Sequence, residues 1–339
     1  MKTPFISIVV PMYNSQETIG SCLDSLIKMH YPKKRLEIII IDDHSIDNSF
    51  GIVSNFIKNH KEIKIKLIKQ KKGKKGPAAA RNLGIKHSKG EFIASTDSDE
   101  IMFPNWLNEL LPYFSNANTA AVGALLIEKH PLDKGISPKI QSILINPTDK
   151  PSTVAAGNVI YRKKILQEAG MFNEFCKFND LDVDLHYRMQ EKGFNLIPVQ
   201  EYLGQHKQRH SLKAFYKRMK GFGAAGIIIS FFNFKSALKN KFKNQQPVLY
   251  YFGFFLCLLL YSILLITSIF LNIKITYLLI LIGFAIIICS SLISASLAIK
   301  RTKSRIKYLP ITSFYVLTKI IGLTYGVFYG VFYYLRRKK

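Results

Sequence analysis

The sequence predicts an α/β domain with a doubly wound, mostly parallel sheet over residues 1–210, followed by an α-helical membrane domain. Three observations point there. Short apolar runs rich in β-branched residues alternate with helical stripes. Two of those runs end in paired carboxylates. The last third of the chain holds two long segments without a charge.

Residues 5–10 (FISIVV) form an unbroken apolar run, the pattern of a strand buried on both faces. Within 15–29, Ile19, Cys22, Leu23, Leu26 and Ile27 fall on one helical stripe. LEIIII at 36–41 is a second strand and runs straight into Asp42 and Asp43. A helix follows from about 47 to 59, with Ser45 or Asp47 as its cap. The third strand covers 63–68 and the next helix 77–88, with Pro77 at a favourable first position. FIASTDSDE at 92–100 is a fourth strand ending at Asp97. Strands and helices alternating at this spacing argue for βαβ units and a parallel sheet.

Beyond it, 129–153 contains Pro131, Pro138, Pro147 and Pro151 and reads as a long loop, of a length usually tied to function. Short helices are expected at 162–170 and 180–192, ending at Gly170 and Gly193, with a strand at 195–199. Residues 211–232 begin basic and amphipathic and become apolar, which suits a helix lying on a membrane surface.

Residues 249–271 and 275–299 carry no charge. The first would span about 34 Å as a helix, enough to cross a bilayer core. Asn272, Ile273 and Lys274 make the tight connection of a hairpin. Basic clusters at Lys235–Lys243 and Lys300–Lys307 flank it and belong on the cytoplasmic side. A third span over 309–335 would put the Arg336–Lys339 tail outside, so an in-plane or re-entrant helix is preferred there. The expected organisation is a catalytic domain at 1–210, an amphipathic helix and basic linker at 211–247, a transmembrane hairpin at 248–300, and a basic loop with a C-terminal in-plane or third membrane helix at 301–339.

The net charge is +26. No nucleic-acid motif accompanies it, and attraction to an anionic leaflet explains it more simply, so lipid and not nucleic acid is the expected partner. The four cysteines include no CxxC pair, which argues against a zinc site or a disulfide framework. The start of the chain is a poor signal peptide, so the soluble part is expected in the cytoplasm, in a multi-pass membrane protein.

Asp97 and Asp99 offer two hard oxygen ligands at a strand end, where open α/β sheets bind ligands. They suit Mg²⁺ or Mn²⁺ bridging to substrate phosphates, although Asp-x-Asp also occurs in ordinary turns. Asp42 and Asp43 at the second strand end are placed to accept from a nucleotide base or ribose, or else to cap a helix. The loop KKGKKGPAAARNLGI at 71–85 brings Lys74, Lys75 and Arg81 to a helix N-terminus, which attracts phosphate, yet it is no P-loop and also reads as a solvated basic loop. In DLDVDLHYRMQEKG at 180–193, Asp180, Asp184 and Arg188 share a helix face. Asp182 lies off it, and such a carboxylate near a hydroxyl can act as a general base, the bland reading being a charged surface helix. His206 and His210 are either ligands or structural, and Trp106 reads as core.

Six segments in order resemble the family 2 glycosyltransferases, which have the GT-A fold: FISIVVPMYN, IIIIDDHSIDNS, GPAAARNLGI, FIASTDSDE, AAGNVIYRKKILQEAGMFNEF and DLDVDLHYR. The resemblance covers about residues 5–210. It implies that Asp43, with Asp42, Pro11 and Tyr13, holds the base and ribose of a nucleotide sugar, and that Arg81 lies near the donor. It makes Asp97 and Asp99 the DxD pair, with Asp99 the more direct ligand of Mn²⁺ or Mg²⁺, and His206 a contact to metal or diphosphate. Asp182 would deprotonate the acceptor hydroxyl for an inverting displacement. Leu181 stands where the family usually has Glu before that base, which keeps Asp180 in play, and Glu100 replaces a commoner Asp. QxxRW of processive synthases is absent, since Arg209 falls one place too late after Gln205, so transfer of a single sugar is expected. The membrane segments favour a polyprenyl-linked acceptor in surface glycan or glycoprotein synthesis. The competing reading is an inactive, membrane-tethered nucleotide-sugar-binding or scaffold protein.

Overall fold

The short apolar runs at 6–12, 36–42 and 92–96, stopped by polar turns, become neighbouring strands of one sheet. The computed structural model describes residues 3–73, 75–129, 154, 157–175 and 181–207, with parts of 213–227, 260–283 and 316–332. The strands are β1 (Ile6–Met12), β2 (Leu36–Asp42), β3 (Lys64–Lys69), β4 (Phe92–Thr96), β5 (Glu100–Met102), β6 (Thr119–Lys129), β7 (Asn158–Arg162) and β8 (Asn195–Lys207). Their order is β3-β2-β1-β4-β7-β6-β8-β5. The helices are α1 (Ile19–Ile27), α2 (Ser49–Asn59), α3 (Pro77–His87), α4 (Trp106–Leu110), α5 (Lys163–Glu168) and α6 (Leu181–Glu191).

The half of the sheet from β3 to β4 is parallel, as the alternation of strands and helices predicts. Successive residues of β1 serve opposite faces. Ile6, Ile8, Val10 and Met12 join the core that contains Leu23, Leu26 and Trp106. On the other side Val9 meets α3 at Gly84, where a Cβ would collide with the valine methyl.

The other half departs from expectation. The sequence reading places no strand at 100–102, 119–129 or 158–162 and ends the last one at 199. In the structure β7 runs antiparallel to β4 and β6, β6 is parallel to β8, and β8 continues to Lys207 to pair antiparallel with β5. The first helix coincides with its apolar stripe but is shorter than the 15–29 stretch that holds it, because residues before Ile19 are held in a loop by side chains from the β2–α2 turn.

This topology makes the crevice. From β1 the chain moves outward to β2 and β3, then returns to the opposite side of β1 as β4. Pairing of β1 with β4 stops at Val9↔Ser95, while pairing with β2 continues to Met12↔Asp42. The strands part at their carboxyl ends, and Pro11, which has no N–H to donate, lies past the β4 pairing.

The chain divides into two compact units, Met1–His130, Lys150–Lys177 and Leu181–Gln208 in the first, and Pro131–Asp149, Phe178–Asp180 and Arg209–Lys339 in the second. Among the described residues no helix is long and apolar enough to cross a membrane. The expected hairpin at 249–271 and 275–299 lies mostly outside the described residues, as do the expected 129–153 loop beyond Lys129, which ends β6, and Asp180. The described residues of the two apolar runs are helical, and Tyr261 Oη donates to the Leu279 carbonyl at 2.7 Å. In the same unit, helical residues 219–224 and 321–329 pack closely: Cβ atoms at Gly223 and Gly326 would collide with the carbonyls of Leu323 and Lys220. Lys220 Nζ lies 4.6 Å from the Tyr325 ring centre and 4.3 Å from that of Tyr329.

Candidate active site

Two turns at the carboxyl ends of β2 and β4 carry the paired carboxylates. After β2, the buried Asp42 accepts from the Ser45 amide at 3.2 Å through Oδ1. Loops 13–18 and 43–49 are bolted together by Ser15 N to Ser49 Oγ at 2.7 Å, Ile46 N to Asn14 Oδ1 at 2.9 Å and Gln16 N to Asp47 Oδ2 at 3.1 Å. Asp43 Oδ2 accepts from the Gly76 amide at 2.7 Å. That peptide stands at the start of α3, with φ +102° at Gly76, a conformation glycine adopts at little cost. Asp43 Oδ1 is buried with no partner. Burial holds the Asp43 carboxyl above its ordinary range, opposed by the Gly76 hydrogen bond. A buried acceptor left unpaired costs free energy, so this oxygen is ready for a ligand N–H or O–H. Tyr13 is 58% exposed and follows the half-buried Pro11 by two residues, just past the end of β1.

The turn after β4 is braced by charge. Arg81 is almost fully buried and does not itself present a free guanidinium to the crevice. Its Nε donates to Ser95 Oγ at 3.1 Å, Nη2 bonds Asp97 Oδ1, and the guanidinium carbon lies 5.8 Å from the centre of the Phe172 ring. Asp97 still exposes 39% of its side chain. Desolvation of its inner part raises its pKa, Arg81 opposes this, and Asp99 and Asp182 add to it. Asp99 Oδ2 lies 3.5 Å from His206 Nε2 of β8. Ser98 Oγ and Ser15 Oγ are 2.7 Å apart, tying this turn to the β1 loop. Cys22 Sγ approaches the Asp97 carbonyl at 3.5 Å, and burial pushes its thiol up.

Glu100 completes the turn. It is buried, and Oε2 accepts from Thr96 Oγ1 at 2.8 Å and from the Asp97 amide at 3.0 Å. Burial, followed by the charge of Asp97, pushes its carboxyl up to about 8.

Helix α6 supplies the third group. Asp184 and Arg188 form an i,i+4 pair with bonds of 2.9 and 2.8 Å, and Arg188 also donates to the carbonyls of Ala169 and Met171. This face is therefore a structural clamp on the turn after α5. Asp182 lies off it, and its charge acts on Asp97, on Tyr161 and on His186. Tyr161 Oη and His186 Nε2 are 3.0 Å apart in a fully buried pair. Burial lowers the His186 pKa and raises that of Tyr161.

Asp42, Asp43, Arg81, Asp97, Asp99 and His206 thus gather at the carboxyl edge of the sheet, with Asp182 electrostatically coupled to Asp97. Among the described residues no group of three or more His, Cys, Asp or Glu forms a preset metal cage. Sequence reasoning missed the bracing by Glu100, the Ser15–Ser98 contact and the Tyr161–His186 pair. Only Glu100 left a trace, as a departure from the commoner aspartate.

Residues 7–170 match the sequence model of the family described as Glycosyl transferase family 2. Among curated proteins, a poly(ribitol-phosphate) beta-glucosyltransferase of Bacillus spizizenii is 43% identical over 95 residues, 28% of this chain and 15% of that protein. The glycosyltransferase AglE of Haloferax volcanii is 26% identical over 61% of this chain and 68% of its own length. A dolichyl N-acetyl-alpha-D-glucosaminyl phosphate 3-beta-D-2,3-diacetamido-2,3-dideoxy-beta-D-glucuronosyltransferase of Methanococcus voltae is 25% identical over 66% of this chain and 74% of that one. The chain therefore spans a small part of the first relative and more than two thirds of the others. Among solved structures, the mannosyltransferase PcManGT of Pyrobaculum calidifontis, in complex with GDP-Man and Mn²⁺, superposes with a TM-score of 0.60 at 16% identity, covering 96% of this chain and 88% of that one.

Proposed function

We propose that residues 7–170, which match the family 2 glycosyltransferase model, form a catalytic domain, and that this chain transfers one sugar from a nucleoside-diphosphate sugar to an acceptor hydroxyl, with inversion at the anomeric carbon. The observation that carries the reading is the convergence of two carboxylate turns on one sheet edge, one ending in an unpartnered buried Asp43 oxygen and the other in the Asp99–His206 pair.

Asp43 accepts from the base or ribose, with Asp42 shaping its turn and Tyr13 and Pro11 bordering the nucleotide. Arg81 acts from behind, holding Asp97 toward the donor. Asp182 takes the proton of the acceptor hydroxyl as that oxygen attacks, and the nucleoside diphosphate leaves on the other side of the sugar. One negatively charged oxygen donor and one imidazole are a suitable partial set for Mn²⁺ or Mg²⁺. Such cations are commonly held by one or two carboxylates and completed by substrate phosphates. Asp99 and His206 would hold the ion, with the outer oxygen of Asp97 nearby. When bound, it neutralises charge developing on the diphosphate.

The acceptor is a polyprenyl-linked phosphate or glycan, and the protein works at the cytoplasmic face of a membrane. Two uncharged runs of spanning length, flanked by lysines, support the attachment. Ile321, Tyr325, Phe328 and Phe332 are exposed at helical spacing, a pattern that suits an interfacial helix. The dolichyl phosphate in the name of the Methanococcus voltae relative supports the acceptor class.

The test is a donor screen on the full chain in nanodiscs. Nucleoside-diphosphate release would be recorded from UDP-, GDP- and dTDP-sugars with Mn²⁺ or Mg²⁺, with and without polyprenyl phosphate. Metal-dependent release from one donor, stimulated by the lipid and lost in Asp99→Ala, is the expected result. No release and no calorimetric donor binding across the panel would sink the reading.

A further inference from the structure

We propose that Glu100 is the positioning residue of the Asp97–Asp99 turn and that Gly157 is glycine to leave it room. The inference rests on the reading of that turn as the cation and diphosphate site.

A single Glu100 oxygen, Oε2, accepts from both the Thr96 hydroxyl and the Asp97 amide, while the Glu100 amide donates to the Asp97 carbonyl at 3.1 Å. The turn is thus closed from inside by the residue that follows it. Arg81 and Ser15 fasten its Asp97 and Ser98 side chains, and Glu100 holds the Asp97 backbone amide. Glu100 is also the first residue of β5 and stands opposite His206 in β8. One residue therefore fixes the turn that carries Asp99 and the strand register that brings His206 to it.

The other Glu100 oxygen faces Gly157, where a Cβ would collide with Oε1. The backbone at 157 is not left-handed, so glycine is needed there for space and not for its conformational freedom. The longer reach of glutamate over the aspartate commoner in the family matches the space that Gly157 leaves open.

The probe is Mn²⁺ alone, titrated into the full chain in nanodiscs, with free ion read by electron paramagnetic resonance. Far-ultraviolet circular dichroism and the fluorescence of the buried Trp106 report folding. Glu100→Gln keeps an oxygen that accepts both bonds and is expected to bind within about 3-fold of wild type. Glu100→Ala is expected to lose roughly 10-fold or more, the range typical of groups that orient metal ligands. Gly157→Ala should lose as much, because it displaces Glu100, yet it should cost almost nothing further in a Glu100→Ala background. Wild-type affinity in a folded Glu100→Ala variant, or additive losses in the double variant, overturns the proposal. Hydrogen exchange at the Asp97 amide separates this inference from the cation reading. If wild type takes up no Mn²⁺, the cation reading fails. Exchange at Asp97 that is slow in wild type and Glu100→Gln and fast in Glu100→Ala then still supports the positioning role, whereas equal rates in all three overturn it.

Discussion

The turns after β2 and β4 look alike in sequence, each an apolar strand running into two carboxylates, but the fold treats them differently. Asp42 and Asp43 are met by backbone amides, those of Ser45 and Gly76, and one Asp43 oxygen is left buried and empty. Asp97 and Asp99 are instead met by side chains, Asp97 by the Arg81 guanidinium and Asp99 by the His206 imidazole. A pocket of neutral donors with one missing partner suits recognition of a polar, uncharged group such as a base or ribose. Asp97 and Asp99 bring two carboxylates to one turn against a single guanidinium, and with the His206 imidazole they offer ligand atoms that suit a cation. On the proposed function, the same pair of residue types serves recognition in one turn and charge compensation in the other.

The largest expected effect lies outside both turns. Asp182→Asn should lower turnover by about 10²–10⁴-fold, the range for a lost general base, while leaving nucleotide affinity almost unchanged. Equal losses in turnover and nucleotide binding would mean that Asp182 belongs to the donor site. Next comes Asp99→Ala, expected to reduce turnover by roughly 10²-fold and to weaken Mn²⁺ binding, with nucleotide affinity measured without metal preserved. Asp43→Ala should do the reverse. A hydrogen bond to a charged acceptor is worth about 1.5–3 kcal/mol, so nucleoside-diphosphate affinity should fall about 10- to 100-fold with Mn²⁺ binding intact. Calorimetry of both variants with both ligands checks the pair, and identical patterns would erase the distinction between the turns.

The smallest effect concerns the buried pair behind Asp182. His186 has a pKa lowered from 6.5 by burial, with Arg188 lowering it further and Asp182 opposing. Tyr161 Oη is its hydrogen-bond partner. Below pH 6.5 the unfolded chain takes up a proton that the folded chain resists, so stability is full above that value and is lost as pH falls toward the folded pKa. Thermal unfolding of wild type should drop by a few degrees more than that of His186→Gln between about pH 7 and pH 5. Parallel curves would show that His186 is not the responsive group.

How much was legible follows from where each element finds its partners. The runs at 5–10, 36–41 and 92–96 announce themselves because a strand covered on both faces must be apolar throughout, and the helices between them carry their own stripes. The strands at 119–129 and 158–162 are held by pairing across the sheet, β7 between β4 and β6, and no local pattern encodes a neighbour so distant in sequence. The helix face of Asp180, Asp184 and Arg188 was visible as spacing, but only packing shows that the Asp184–Arg188 pair clamps the α5 turn.

By itself, then, the sequence determined the βα order, the carboxylates at two strand ends and the motifs that carry the family resemblance, because apolar periodicity and short motifs are local properties of the chain. Tertiary structure alone decided that Arg81 stands behind Asp97, that His206 reaches Asp99 along an extended β8, and that Glu100 holds the turn against Gly157. Each of these is a contact between segments far apart in the chain or a matter of room, and both exist only once the sheet has brought its strands together.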